Sequence, residues 1–217
     1  MTAMSATRIA FVDAASDDLR VYDFDGTDWS QTGNDFNFAS GIGGCALAAL
    51  SSSRVAFIDA TGDELGAYDF DGTDFTLVGS ALSVSVATCY MTALSSTRVV
   101  LVTANGGNLS VYDFDGSTWS KTGNDYSLTG KNRNAITALN STDVVYTNET
   151  DDLIKILRFD GSDFAQVGED VSISTTDKPV LSALSGQDIA FIDETQEDLR
   201  FYRWDFSIGG TPLIIGD

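Results

Sequence analysis

A five-residue string, Tyr-Asp-Phe-Asp-Gly, runs from Tyr22 to Gly26 and returns from Tyr68 to Gly72 and from Tyr112 to Gly116. Phe159-Asp160-Gly161 is a weaker fourth copy, and Tyr202-Arg203-Trp204-Asp205 a fifth that has lost its glycine. Gly26, Gly72, Gly116 and Gly161 are spaced by 46, 44 and 45 residues. A period of that length belongs to propeller blades, each too small to bury its own apolar face and therefore stacked on its neighbours.

Within the unit, an Asp-Gly pair between two alternating apolar runs predicts a two-residue type I′ hairpin, which requires positive φ at both central residues. Leu19, Val21 and Phe24 before the turn recur as Leu65, Ala67 and Phe70, as Leu109, Val111 and Phe114, as Ile154, Ile156 and Phe159, and as Leu199, Phe201 and Trp204. That is a strand with one side on a core. Three residues after the glycine stand Trp29, Phe75, Trp119 and Phe164, each large enough to anchor a blade against the next.

Upstream, small-residue strands open the units: Leu47-Ala48-Ala49-Leu50, Met91-Thr92-Ala93-Leu94, Ile136-Thr137-Ala138-Leu139 and Leu181-Ser182-Ala183-Leu184, with Met1-Thr2-Ala3-Met4 a shortened copy. Their slight central side chains suit the innermost position of a blade. A second strand follows at Arg8 to Asp13, Arg54 to Asp59, Arg98 to Thr103, Asp143 to Asn148 and Asp188 to Asp193, apolar on both faces as a strand between blades should be. Four strands in each of five units predict an all-β, five-bladed β-propeller of four-stranded antiparallel blades. The expected blades span about 1–40, 45–84, 89–129, 134–174 and 179–217, in a single domain. In blade five, which lacks the Asp-Gly turn, the tail Thr211-Pro212-Leu213-Ile214-Ile215 supplies either the fourth strand or an inner strand clasping blade one.

On these residues rests a resemblance. Tyr22 to Trp29, Tyr68 to Phe75 and Tyr112 to Trp119 resemble the Tyr-Asp…Trp half of a kelch repeat, and five short blades resemble the tachylectin type of propeller lectin. The di-glycine of kelch repeats is replaced here by Phe11-Val12-Asp13 and its equivalents. What the resemblance implies is a binding scaffold.

Charge narrows the partners. Of the 217 residues, 32 are acidic and 12 basic, a net charge of −20 that repels nucleic acid and anionic membranes and leaves neutral or cationic partners. The N-terminus has no basic stretch followed by an apolar run, and no segment approaches the roughly 20 apolar residues of a span. A soluble chain without a signal peptide or membrane insertion is expected, cytoplasmic or displayed as part of a particle. There is no histidine, so acid–base chemistry would rest on carboxylates alone.

Two acidic sets stand out. Asp23, Asp25 and Asp28, with Asp69, Asp71 and Asp74, form an Asp-x-Asp-Gly-x-Asp pattern that is read either as turn chemistry or as a calcium site, a hard cation needing several carboxylate oxygens. The spacing is not that of an EF-hand, and later repeats do not keep the set. The links between second and third strands carry Asp13, Asp17 and Asp18, then Asp59, Asp63 and Glu64, then Asp193, Glu197 and Asp198. Of these, Asp13, Asp17, Asp59, Asp63, Asp193 and Asp198 are the candidate ligand-binding residues, since loops on a rigid scaffold carry binding groups. Carboxylates that recur blade by blade do not resemble the single asymmetric pair of a glycosidase, and the chain reads as no enzyme. Cys45 and Cys89 occupy equivalent positions near the axis and are read either as buried thiols or as a disulfide, the latter requiring Cα atoms within about 7 Å.

The expected function is therefore non-catalytic recognition, carbohydrate before protein, through several equivalent sites and without a resident cofactor. The alternative is a structural or assembly protein of a virion, filament or cell surface, in which the chain could form oligomers.

Overall fold

A computed structural model of the chain describes residues 1–13, 15–38, 46–59, 61–85, 89–103, 107–128, 135–148, 152–173, 180–193, 198–205 and 211–216; for Asn148, Asp193, Asp198, Asp205 and 211–216 it describes the backbone alone. The strands form five antiparallel sheets, each built from consecutive segments. Blade one is β1 (Thr2–Ser5), β2 (Arg8–Asp13), β3 (Asp18–Phe24) and β4 (Trp29–Asn37); blade two is β5 (Ala46–Ala49), β6 (Arg54–Asp59), β7 (Glu64–Phe70) and β8 (Phe75–Ser83). Blade three is β9 (Cys89–Ser95), β10 (Arg98–Thr103), β11 (Asn108–Phe114) and β12 (Trp119–Ser127). Blade four is β13 (Ile136–Ala138), β14 (Asp143–Asn148), β15 (Leu153–Phe159), β16 (Phe164–Gln166) and β17 (Val171–Ser172); blade five is β18 (Val180–Ala183), β19 (Asp188–Asp193), β20 (Asp198–Asp205) and β21 (Thr211–Gly216). This is a five-bladed β-propeller. Its internal contacts group into two compact units, Met1–Val99 with Tyr112–Lys121, and Val100–Val111 with Thr122–Asp217.

Blade four differs from the others in that its outer strand is broken, β16 and β17 both pairing with β15 on either side of Gly168. The tail of blade five forms an outer strand: β21 pairs with β20, Pro212 standing opposite Trp204. Proline lacks an N–H for a second neighbour and suits the edge of a sheet.

The hairpin between third and fourth strands keeps two central residues, but they lie one position later than the expected Asp-Gly pair. Phe24 pairs with Trp29, and the Asp25 N–H donates to Asp28 O, leaving Gly26 and Thr27 as the two central residues. Gly26 has φ +105° while Asp25 is not in the left-handed region. Positive φ at the first central position alone is the II′ pattern, and it recurs at Gly72, Gly116 and Gly161. The aspartate before the glycine instead caps the loop, its carboxylate accepting two N–H groups ahead of it.

Each blade has two apolar faces. In the first unit, Met4, Ala10, Leu19 and Val21 of blade one pack with Leu47, Val55, Phe57, Phe70 and Phe75 of blade two. The second unit repeats this, with Leu139, Val145, Ile154 and Ile156 of blade four against Ile189, Phe191, Tyr202 and Trp204 of blade five. Fully burying one such aliphatic or aromatic side chain contributes about 1.5–3 kcal/mol. The first strands of blades one and two, and those of blades four and five, are neighbours, the Thr2 hydroxyl accepting from the Ala49 N–H and the Thr137 hydroxyl from the Ala183 N–H, as the small-residue pattern requires of inner strands. The aromatic after the hairpin is buried at Phe75, Trp119 and Phe164, but Trp29 is exposed and lies against Phe24, with ring centroids 5.3 Å apart.

Candidate functional site

The links between second and third strands hold the candidate ligand-binding aspartates, and the backbone explains their composition. Asp17 and Asp63 have φ of 59° and 53°, and the equivalent positions in the next two blades, Gly107 and Asp152, have φ of 58° and 52°. Only glycine and short polar residues visit this left-handed region routinely. The carbonyl of that residue then accepts an N–H from the segment after the fourth strand: Phe38 to Asp17, Val84 to Asp63, Leu128 to Gly107 and Ile173 to Asp152. Asp17 and Asp63 thus carry the turn while keeping partly exposed carboxylates at the same end of each blade.

The other link residues are held in place by local bonds. Asp13 accepts from the Ala15 N–H at 3.0 Å and the Ser16 hydroxyl at 2.9 Å. Those bonds, with the nearby Arg20 guanidinium, hold its carboxyl below the usual aspartate range. Arg20 gathers acids, lying 2.9 Å from Asp18, 3.4 Å from Asp13 and 3.3 Å from Asp35. In blade two, Asp59 is buried and accepts the Thr61 N–H, so the acidic side chains of that link that reach the surface are Asp63, half-buried, and Glu64, exposed. Beside them, burial first and then the charges of Glu64 and Asp59 push the Tyr68 hydroxyl up. Phe36 and Phe38 stand against Tyr68, at 5.3 and 6.4 Å between centroids. The first two blades therefore offer half-buried aromatic surface with carboxylate acceptors at its margin. In blade five, Asp193 pairs with Asp198 across the link; the side chains of both, and all of Glu197, lie outside the described residues.

The hairpin acids have other work. Asp23 takes a bidentate pair from Arg8 at 2.7 Å on each oxygen, and Asp69 the same from Arg54 at 2.6 and 2.7 Å. Asp25 accepts from the Thr27 and Asp28 N–H groups and Asp71 from the Thr73 and Asp74 N–H groups, which keeps both carboxyls below the usual range. Asp74 accepts the Asn34 side-chain amide, and Asp28 is exposed. Among the described residues no group of three or more acidic, cysteine or histidine side chains is arranged to hold a metal ion. The alternative calcium set is therefore, in this fold, one ion-pair member, one loop cap and one loop-end residue per blade. Cys89 is buried, and Cys45 lies outside the described residues.

Two devices went unread in the sequence. One is an ion pair across the second and third strands of every blade: Arg8–Asp23, Arg54–Asp69 and Arg98–Asp113, then with the charges exchanged, Asp143–Arg158 and Asp188–Arg203. The signal is a constant separation of 15 residues. Arg8 and Arg54 also lie over the Phe70 and Phe114 rings of the following blade, at 5.4 and 5.7 Å. The other device is a latch. Gly33, Gly79, Gly123 and Gly168 stand seven residues after the hairpin glycines, all with positive φ. The residue after the glycine donates its N–H to the hairpin of the next blade: Asn34 to Thr73 O at 2.7 Å, Ser80 to Ser117 O at 2.8 Å and Asn124 to Ser162 O at 2.8 Å. A Cβ at Gly33, Gly79 or Gly123 would fall inside contact distance of that same carbonyl oxygen.

With this geometry the chain is similar to several solved structures. A protein of unknown function from Desulfotomaculum acetoxidans matches over 100% of this chain and 68% of its own, with a TM-score of 0.73 at 11% identity. A Bacteroides fragilis protein provisionally called a 6-phosphogluconolactonase matches over 98% and 67%, with a TM-score of 0.70 at 12% identity. The SapL1 lectin in complex with α-methyl fucoside matches over 99% and 81%, with a TM-score of 0.58 at 15% identity. Likeness at these identities speaks for the fold. No protein-family model matches the chain, and no curated protein is significantly similar to it.

Proposed function

We propose that the chain is a non-catalytic recognition module that binds carbohydrate at the links between its second and third strands. The observation that carries this reading is the repetition of one arrangement: Asp17 and Asp63, in the same backbone conformation, present partly exposed carboxylates at equivalent points of successive blades. A carboxylate is a strong acceptor for sugar hydroxyls, and Phe36, Phe38 and Tyr68 supply apolar surface for the C–H face of a pyranose. The resemblance in fold to a lectin bound to a fucoside supports the same class of ligand. A hydrolytic reading is less well supported, because a general acid needs a raised pKa, whereas Asp13 is held below the usual range by its hydrogen bonds.

Equivalent shallow sites give weak individual contacts, and multivalent display raises apparent affinity by roughly 10²–10⁴. The test is retention on dense glycan surfaces compared with binding of free sugar. Asp17→Asn and Asp63→Asn keep a residue that tolerates the left-handed conformation while removing the charge. Each should weaken retention and the pair should weaken it further, with unchanged melting. Failure to bind any dense glycan surface would end the proposal and favour a structural role.

A further inference from the structure

On the carbohydrate reading above, we propose that the sites are unequal, and that the outer edge of blade two is the principal one, a subsite for a single uncharged pyranose built from Tyr68, Leu77 and Glu64. Three positions of the repeat point there, one on the third strand and two on the outer strand. In blade one they are Arg20, Gln31 and Asp35, and both Arg20 and the Gln31 amide engage the Asp35 carboxylate. In blade three Ser110 donates to Asp125, with Lys121 at the remaining position. In blade four Lys155 lies 3.5 Å from Asp170, which also accepts the Gln166 amide at 2.7 Å. Blade two replaces all three at once, with Gly66, Leu77 and Ala81. Register fixes the correspondence, Gln31, Leu77 and Gln166 standing opposite Tyr22, Tyr68 and Leu157.

The replacement leaves an apolar floor where the other blades carry a polar network. A Cβ at Gly66 would come within 2.7 Å of the Tyr68 ring and 3.1 Å of the Leu77 side chain, so both rest on bare backbone. Phe36 and Phe38 of blade one meet the Tyr68 ring edge to face. Tyr68 stays half-buried and Leu77 is 41% exposed. Alternation along β7 puts Glu64 on the face of Gly66 and Tyr68, and Glu64 is exposed. Its counterparts offer no such acceptor: Asp18 is buried and paired with Arg20, and Asn108 and Leu153 carry no charge. One ring and one leucine match the C–H face of a single pyranose, and fall far short of the roughly 800 Å² that a protein partner covers. A carboxylate at the margin accepts the sugar hydroxyls. Sugars bearing carboxylate or sulfate are repelled by the net charge of −20.

Retention of the full chain on mannan, galactan and dextran beads, with pectate beads as the anionic counterpart, tests the proposal. The wild type should be held by at least one neutral surface and pass through pectate. On that neutral surface, Leu77→Gln with Ala81→Asp, which restores the outer-strand pair of blade four, should cut retention at least fivefold. Glu64→Gln should weaken it severalfold, and Leu77→Trp, which enlarges the platform, should strengthen it severalfold. Gln31→Ala, at the matching point of blade one, should leave it within twofold. These positions reach the surface, so unchanged melting separates lost binding from lost fold, and a gain with Leu77→Trp cannot come from misfolding. Full retention of the Leu77→Gln/Ala81→Asp variant on a surface where Asp63→Asn loses binding overturns the subsite and leaves the carbohydrate reading standing. Equal retention on pectate also overturns it, and a wild type held by no neutral surface overturns both.

Discussion

Glycine serves two different purposes in this chain, and substitution separates them. At Gly72, φ is +104° and a Cβ would meet nothing within 4 Å, so alanine faces only backbone strain. At Gly79, φ is +68° and a Cβ would also run into the Ser117 carbonyl that receives the latch hydrogen bond. Gly72→Ala is expected to cost about 1–2 kcal/mol, and Gly79→Ala about 2–4 kcal/mol, because overpacking adds to the strain. For a chain of this size each kcal/mol lowers Tm by about 2–4 °C, so two melting curves rank the positions. Equal losses would remove the latch from the account of stability.

At the level of the strand pair, the exchanged Arg–Asp couples predict that orientation is immaterial. Arg54→Asp sets a carboxylate directly opposite Asp69 in the register and should destabilise. Adding Asp69→Arg recreates the order that blades four and five already use, and a urea double-mutant cycle should return a favourable coupling of about 1 kcal/mol. A small deficit should persist because Arg54 also lies over Phe114, a contact worth about 0.5–1 kcal/mol at exposed sites. No coupling would mean that the pairs are incidental. Blade four adds a contrast, since Asp143 is buried while Arg158 is half exposed. Removing Arg158 leaves the buried Asp143 carboxylate with the Asn140 amide and the Thr142 hydroxyl as its donors and should cost about 1–3 kcal/mol, whereas Arg8→Met should cost no more than about 1 kcal/mol.

The same couples set the acid limit. Arg8 holds the Asp23 carboxyl below the usual range and Arg203 does so for Asp188. Burial would raise Asp143, but the bonds from Arg158, Asn140 and Thr142 outweigh it and the net direction is down. A carboxyl with a depressed folded pKa contributes stability above its unfolded value, about 3.9, and loses it as pH falls through the folded value. Melting followed from pH 7 downward should therefore hold to about pH 4 and collapse below it. Unchanged melting at pH 2 would refute this use of the pairs.

Over the whole molecule, 32 acidic residues against 12 basic ones make self-repulsion a general opposing force. Sodium chloride should raise Tm, since it screens repulsion among exposed charges over a Debye length of about 10 Å at 0.1 M. Calcium should add nothing beyond its ionic strength, because Asp23 and Asp69 are engaged by arginine and Asp25 and Asp71 by backbone N–H groups. A site that bound only the folded chain would give about 2.7 kcal/mol at a hundredfold excess over Kd. A calcium-specific rise in Tm, reversed by chelator, would therefore restore the metal reading.

The amino-acid sequence by itself determined the blades: a recurring hairpin, period-two strands and a 45-residue spacing are local signals, set by turn chemistry and alternation along a few residues. It also located the acidic links, since their residue types answer to local φ, as at Asp17 and Asp63. What only the tertiary structure decided is the employment of each group. Whether Asp74 is a ligand or the acceptor of Asn34 depends on a residue 40 positions away, and the hairpin's true central pair depends on which N–H closes it. Trp29, alike in sequence to Trp119, is exposed while Trp119 is buried. Burial belongs to the neighbouring blade, and no pattern inside a repeat records what lies against it.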